Sequence, residues 1–459
     1  MTQALILAAD ALITMDAQNG VVVGGAVLVE DGRIAAVGTR EALVAAHPHV
    51  AVKSLPNAVL MPGLVNAHAH SGFLRGTAEH LPVWDWLTLH INPMHRMLQP
   101  HEAEAASWLC YAESVLGGTT TVVDMWRYMD GSAKAAEAIG NRLVAVPYVG
   151  EHPDYDYFDT LDMNEALIEG WHRKAGGRVN VWVGLEHLFY ADEAAQWRAV
   201  EMAKRHGTGF HTHCSEAEIE LAEFQKRYGK RPMFVLDDLG FFDTPRAMIA
   251  HAVWLDQAEI DLIAKRPVSV AHNPVSNMKL ASGIAPIAEM LAAGVPVGIG
   301  TDGEKENNNF DTFEEMKVAS LLGKLKHLDA AAMDSWQVLR MATILGAKAV
   351  GLDHEIGSIE MGKRADIIAV RTDTPRMTPF FPDGPYFNLQ HNLVHAVRGG
   401  DVSMTMVDGH ILVEDGALKT ASMADILAEI HAVAPGLFAR RAAWLAEHGD
   451  GTKQWTQGS

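Results

Sequence analysis

Eight short apolar runs, most of them separated by helical stretches, constrain this chain more than any other feature. They are "AVLMPGLVNA" (58–67), "GTTTVVDM" (118–125), "RLVAVPYVG" (142–150), "VNVWVGLEH" (179–187), "GTGFHTH" (207–213), "RAMIAHAVW" (246–254), "RPVSVAHNP" (266–274) and "GVPVGIGTD" (294–302). Segments such as "PHEAEAASWLCYAESVL" (100–116), "SAKAAEAIG" (132–140) and "AEIDLIAKR" (258–266) lie between them. Strands joined by helical crossovers pair in parallel, because a tight turn can only bring back an antiparallel neighbour. Eight such strands are the number that closes a (β/α)8 barrel. The expected fold class is therefore α/β, with a (β/α)8 barrel over residues 58–357.

The flanking segments follow another pattern. "GGAVLVEDGRIAAVG" (24–38) and "TMVDGHILVEDG" (405–416) each place an Asp-Gly pair between two apolar runs. Asp-Gly suits the two-residue type I′ hairpin turn, which needs positive φ at both central positions. Strand-rich pieces at both ends imply one small β-sandwich domain built from residues 1–57 and 358–420; the alternative is two unrelated hairpins. Residues 421–459 read as C-terminal helices packed on the outside ("MADILAEIHAV", "FARRAAWLAEH").

Charge and composition remove several classes of function. A formal net charge of −20 without a basic block argues against a nucleic-acid partner, which requires a cationic footprint. Two cysteines, Cys110 and Cys214, supply neither a disulfide framework nor a Cys-rich zinc knuckle. The first residues lack a basic leader region, and no uninterrupted apolar run nears the ~20 residues that span a bilayer. The expectation is a cytoplasmic protein with no membrane partner.

In a (β/α)8 barrel, reactive groups stand at the C-terminal ends of the strands. Here the first run leads into His68-Ala69-His70, the fifth into His211-Thr212-His213-Cys214-Ser215-Glu216, the sixth reaches His251, the seventh His272 and the eighth Asp302. Residues two apart on a strand share a face, so His68 and His70 can both point inward. A His-x-His pair alone says little: among 23 histidines in 459 positions about one is expected by chance, and "HPH" at 47–49 is another. Coincidence over five strand ends carries the inference. Imidazoles with a carboxylate suit Zn²⁺, or Fe²⁺, by donor type.

Taken in order, "MPGLVNAHAH", "HTHCSE", "IAHAVWL", "AHNPVSNMKLASGIAPI" and "GIGTDG" resemble the amidohydrolase superfamily, in the branch with adenosine-type and S-adenosylhomocysteine deaminases, guanine deaminase and triazine hydrolases. "DHEIGSIEMGKRADIIAV" (353–370) is similar to that branch's return to its small β domain. The resemblance implies one divalent metal per chain, zinc or iron, held by His68, His70, His213 and Asp302. It implies that Glu216 shuttles a proton to the heterocycle, that His251 polarises the attacking water, and that Asp302 takes the water's proton. Trp86, His187, Glu216 and Glu306 are implied substrate contacts, and a homodimer is common in the branch.

Two departures matter. The fourth run has no lysine to become the carboxylated bridge of two-metal members, so one metal is expected. After Asp302-Gly303 stand Glu304-Lys305-Glu306 where nucleoside deaminases of the branch carry small residues, and Glu304 reads as part of a solvated loop. The expected activity is hydrolytic release of ammonia from an amino-substituted N-heterocycle. A rival keeps the site but displaces an alkylamine or halide; another is a binding protein that has lost catalysis, whose signature, a missing ligand or Glu216, is absent.

Overall fold

The computed structural model describes residues 4–152 and 155–449; the first three residues of the 1–57 segment and the last ten of 421–459 lie outside the described residues. The eight barrel strands are β1 (Leu64–His70), β2 (Thr119–Trp126), β3 (Arg142–Pro147), β4 (Val179–Val181 and Val183–His187), β5 (Phe210–Cys214), β6 (Ala247–His251), β7 (Val268–His272) and β8 (Val297–Ile299 and Asp302–Gly303). All their pairings are parallel.

Two interrupted strands close the ring. The first half of β4 pairs with β3 and its second half with β5. The first half of β8 pairs with β7, and its second half, Asp302–Gly303, with β1. At the break in β8, the Asn66 amide on β1 donates to Thr301 Oγ1 (2.7 Å) and accepts the Thr301 N–H (3.1 Å), so the seam is tied by side chain where the ladder lapses. The break in β8 immediately precedes Asp302, and the register of β4 against β5 shifts between Gly184 and His187.

The chain ends build the small β-sandwich domain. Five segments from the N-terminal side, Ala4–Ile13, Val21–Val23, Gly25–Glu30, Arg33–Thr39 and Ala51–Pro62, join Ile367–Arg371, Val402–Val407, His410–Glu414 and Ala417–Leu418 in one nine-stranded sheet. Ala51–Pro62 is the junction, parallel to Ala4–Ile13 and antiparallel to Ile367–Arg371. Alternation along the strands sends Ile6, Ala8, Ala26 and Leu28 to a face covered by Leu43, and Leu7, Ala9, Val27 and Val29 to the other. Asp31-Gly32 and Asp408-Gly409 turn with φ of 49° and 76°, and 49° and 77°, as type I′ hairpins require.

Two expectations need correction. The run 58–67 is not one strand: residues 58–62 complete the small sheet, and the barrel begins at Leu64. Gly63 makes the transition because a Cβ there would stand 2.3 Å from the Thr120 side chain. An unbroken apolar run hides such a change of partner, since both strands are buried. The C-terminal segment is one helix, Met423–His448, rather than two, with Pro435 inside it. It docks through Arg440, which donates to the Met97 carbonyl (3.2 Å) and to Glu102 Oε1 and Oε2 (2.5 and 2.6 Å).

A buried ion pair joins the two domains. Arg142, at the base of β3, donates Nε to Asp366 Oδ2 (2.6 Å) and Nη2 to Asp366 Oδ1 (2.9 Å), and also contacts Asp408. Burial opposes the guanidinium charge, but the two carboxylates outweigh it and raise the arginine's pKa. Asp366→Ala leaves the buried Arg142 with Asp408 alone and is expected to cost up to about 3–5 kcal/mol in urea unfolding.

Candidate active site

Four acceptor atoms meet at the C-terminal end of the barrel. His68 Nε2 and His70 Nε2 lie 3.2 and 3.1 Å from His213 Nε2, and 3.3 and 3.2 Å from Asp302 Oδ1. The opposite ring nitrogens decide what these contacts are. His70 Nδ1–H donates to the Met125 carbonyl and His213 Nδ1–H to the Glu186 carbonyl, both at 2.6 Å. His211 Nδ1–H donates to the Met248 carbonyl (2.8 Å), which leaves its Nε2 to accept Nδ1–H of His68 (2.8 Å). All three Nε2 atoms therefore carry lone pairs rather than protons.

Asp302 Oδ1 is buried and has no hydrogen-bond donor, while its Oδ2 accepts from Ser276 Oγ (2.7 Å). Four proton-free acceptors crowded in this way repel one another unless a cation lies among them. Their spacing matches the ~3.3 Å that two donors keep around one zinc ion with bonds of about 2.0 Å at a tetrahedral angle. Burial lowers the pKa of His68 and His213 well below the usual imidazole value, which keeps them neutral as ligands must be. The residues fit a divalent metal.

His211 orients His68 without touching that point. Removing it leaves the buried His68 Nδ1–H without an acceptor, so His211→Ala is expected to weaken metal affinity about 10–100-fold in chelator competition while the protein stays folded.

Glu216 and His251 adjoin the four acceptors, and a His251 nitrogen lies within 4.8 Å of ligand atoms of His68, His213 and Asp302. Glu216 follows β5 on a turn fixed by Glu220, whose carboxylate accepts the N–H groups of Ser215 (2.7 Å), Glu216 (2.9 Å) and Ala217 (2.8 Å). Burial pushes the Glu216 pKa up to about 7, against the opposing charge of His251. Its Oε1 accepts from Ser282 Oγ (2.9 Å), and Oε2 lies 3.7 Å from His251 Nε2. His251 Nδ1–H donates to Asn277 Oδ1 (2.9 Å), and Nε2 is 3.8 Å from Asp302 Oδ2. Burial works against a charge on His251, but Glu216 and Asp302 prevail and raise its pKa. His251 (φ 73°) and Asp302 (φ 60°) adopt the left-handed backbone that non-glycine residues seldom take, which aims both side chains into the barrel mouth.

The cavity above these groups is walled by Trp86, Leu280, Tyr148, Glu186, His187, Lys305 and Glu306. Among the candidate contacts, Trp86 and Glu306 line it directly. His187 does too, but its Nε2 contacts Glu220 (3.2 Å) and its Nδ1 accepts the Phe189 N–H (3.2 Å), so both nitrogens are engaged. The solvated-loop expectation for the residues after Gly303 fails: Glu304–Asn307 is a buried helical turn. Glu304 accepts the Leu74 N–H (3.0 Å) beneath the cavity, and Glu306 pairs with Lys305 Nζ (3.0 Å). His272, though at the end of β7, is not among the groups whose ligand atoms converge among the described residues.

Sequence reasoning gave no role to His211, Glu186, Glu220, Ser282 or Lys305. The signal for His211 was present in "HTH": two apart from His213 on one strand, it had to share the inward face. Glu220 and Ser282 had none, since the first turn of the helix Glu218–Tyr228 brings in one and a loop the other.

A parallel barrel with a candidate metal site of imidazoles and a carboxylate at the C-terminal ends of its strands is the arrangement of a metal-dependent hydrolase. The chain belongs to the amidohydrolase family: residues 59–412 match the Amidohydrolase family, and residues 25–49 a bacterial imidazolonepropionase-like composite domain. It is 37% identical over 432 residues to a 5'-deoxyadenosine deaminase of Methanosarcina mazei, covering 94% of this chain and 97% of that protein. With a 5-methylthioadenosine/S-adenosylhomocysteine deaminase of Nitratidesulfovibrio vulgaris it shares 39% over 430 residues, 93% of this chain and 95% of the other. An adenosine deaminase from Xanthomonas campestris, solved with bound zinc, superposes with a TM-score of 0.88 at 30% identity, covering 95% of this chain and 98% of that one.

Proposed function

We propose that this protein is a metal-dependent hydrolytic deaminase of an amino-substituted N-heterocycle, with one zinc ion held by His68, His70, His213 and Asp302. The observation that carries the reading is the convergence of four proton-free acceptors beside the Glu216–His251 pair. When bound, the ion supplies Lewis acidity that brings the pKa of water toward neutrality.

The chain's own residues manage the protons. Asp302, steadied at Oδ2 by Ser276, accepts a proton from the attacking water. Glu216, whose pKa near 7 keeps a proton available, delivers it to the ring nitrogen next to the carbon under attack. His251 stabilises charge at the incoming oxygen, its ring held by Asn277. A C–O bond forms, Asp302 passes the water's proton to the amino nitrogen, the C–N bond breaks with loss of ammonia, and the remaining hydroxyl proton returns to Glu216 as the oxygen becomes a carbonyl.

The similarity to 5'-deoxyadenosine and adenosine-type deaminases supports aminopurine nucleosides as the first substrates to examine. No helix among the described residues is long and apolar enough to cross a membrane, and the acidic surface disfavours nucleic acid, in keeping with a cytoplasmic homodimer acting on a small molecule. The test is ammonia release by metal-analysed protein from aminopurine nucleosides, aminopurines, pterins, aminopyrimidines and triazines. Ammonia from at least one group sustains the reading, whereas release of only an alkylamine or halide from a triazine replaces it.

A further inference from the structure

The cavity wall beside His213 holds a carboxyl group that the reaction does not use, Glu186, whose Oε1 lies 3.9 Å from His213 Nδ1. Glu186 stands in the second half of β4, and its side chain lines the cavity. Its backbone carbonyl orients His213, a task independent of the side chain. Of the two carboxyl oxygens, Oε1 accepts from Tyr148 Oη (3.2 Å). Oε2 is buried without any hydrogen-bond partner. A buried polar atom in that state ordinarily takes its partner from a ligand, an ion or a bound water.

The surrounding groups indicate what the partner must be. Glu186, Glu216, Glu306 and Asp302 all face the cavity, and Glu306 Oε2 is likewise unpartnered. Lys305 carries the only ammonium or guanidinium among the described lining residues, and it is paired with Glu306. Trp86 Nε1 and, its ion pair apart, Lys305 Nζ are unpartnered donors of the same lining, so the occupant carries acceptors too, but one with acceptors alone would leave the Glu186 and Glu306 oxygens unpaired.

We propose that Glu186 is a specificity-determining residue, its free oxygen accepting a hydrogen bond from an N–H or O–H group that the substrate carries in addition to the amino group it loses. The proposal rests on the deaminase reading for the identity of that amino group, but not for the contact itself. The donor has two possible sources, a second amino group on the ring or a hydroxyl on a ring substituent, and paired compounds separate them.

The experiment measures binding by calorimetry to zinc-loaded protein, wild type, Glu186→Gln and Glu186→Leu, with ammonia release followed in parallel. One pair is adenine and 2,6-diaminopurine; the other is 2',3'-dideoxyadenosine and adenosine. Wild type is expected to prefer the donor-bearing member of one pair by at least about 10²-fold, because a site built around a donor rejects the analogue without it. Glu186→Leu should abolish that preference, chiefly by weakening the donor-bearing compound, and Glu186→Gln, which retains a carbonyl acceptor, should keep part of it. Equal weakening of both members, an unchanged preference in Glu186→Leu, or no preference in wild type for either pair overturns the proposal. If the preference behaves as expected but no bound compound releases ammonia, the deaminase reading fails and the contact stands.

Discussion

Replacing Glu216 by Gln is expected to leave metal content unchanged while kcat falls by about 10²–10⁴, the usual contribution of a positioned acid–base group. The argument is geometric first. Glu216 lies beside His251 and Ser282 rather than among the four converging acceptors, so a neutral isostere leaves the metal's donors in place. Gln can accept the Ser282 hydrogen bond as Glu does, but it cannot release a proton to a ring nitrogen. Burial raises the Glu216 pKa to about 7, so the proton-bearing form is present below neutrality and lost as pH rises through that value. Wild-type activity should decline on that alkaline limb, and the residual activity of the variant should lack it. Metal analysis with a pH–rate profile checks both parts, and loss of metal from Glu216→Gln would make the carboxylate a ligand instead.

Much of this arrangement was legible in the sequence, for a physical reason. Parallel barrel strands are short, buried and bounded by helices, so their spacing shows in the apolar pattern, and their last residues bring together groups far apart in the chain. His68, His70, His213, His251 and Asp302 could be placed on strand ends because period-two alternation and the barrel's polarity determine where such side chains point. Hairpin turns at Asp31-Gly32 and Asp408-Gly409 were legible because the required positive φ selects those residues.

What stayed hidden depends on contacts between distant loops. Nothing in "VGLEHLFY" distinguishes a cavity-facing Glu186 from a surface glutamate, because the register of β4 against β5 shifts between Gly184 and His187 and simple alternation fails there. Glu304 read as solvated since a run of charged residues normally is; its burial is offset by the Leu74 N–H, which comes from the loop after β1. The split at Gly63 was invisible because the residues on either side of it, 58–62 and 64–65, are apolar and buried.

Substituting a ligand should have the larger effect. His68→Ala and Asp302→Ala each remove one of four converging donors and leave the remaining acceptors facing each other in a buried space, so metal should be lost and ammonia release should fall to background. Both proteins should remain folded, since the barrel ladder does not depend on these side chains. His70→Ala should follow the same pattern. A His68→Ala protein that kept its metal and its activity would remove that residue from the site.

The most direct measurement is a titration of chelator-treated, metal-free protein with zinc, following bound metal and ammonia release together. With no lysine at the end of β4 to bridge two ions, activity should rise in proportion to added zinc and level off at one equivalent per chain. A plateau at two equivalents, or full ammonia release from protein shown to be free of metal, would contradict the account.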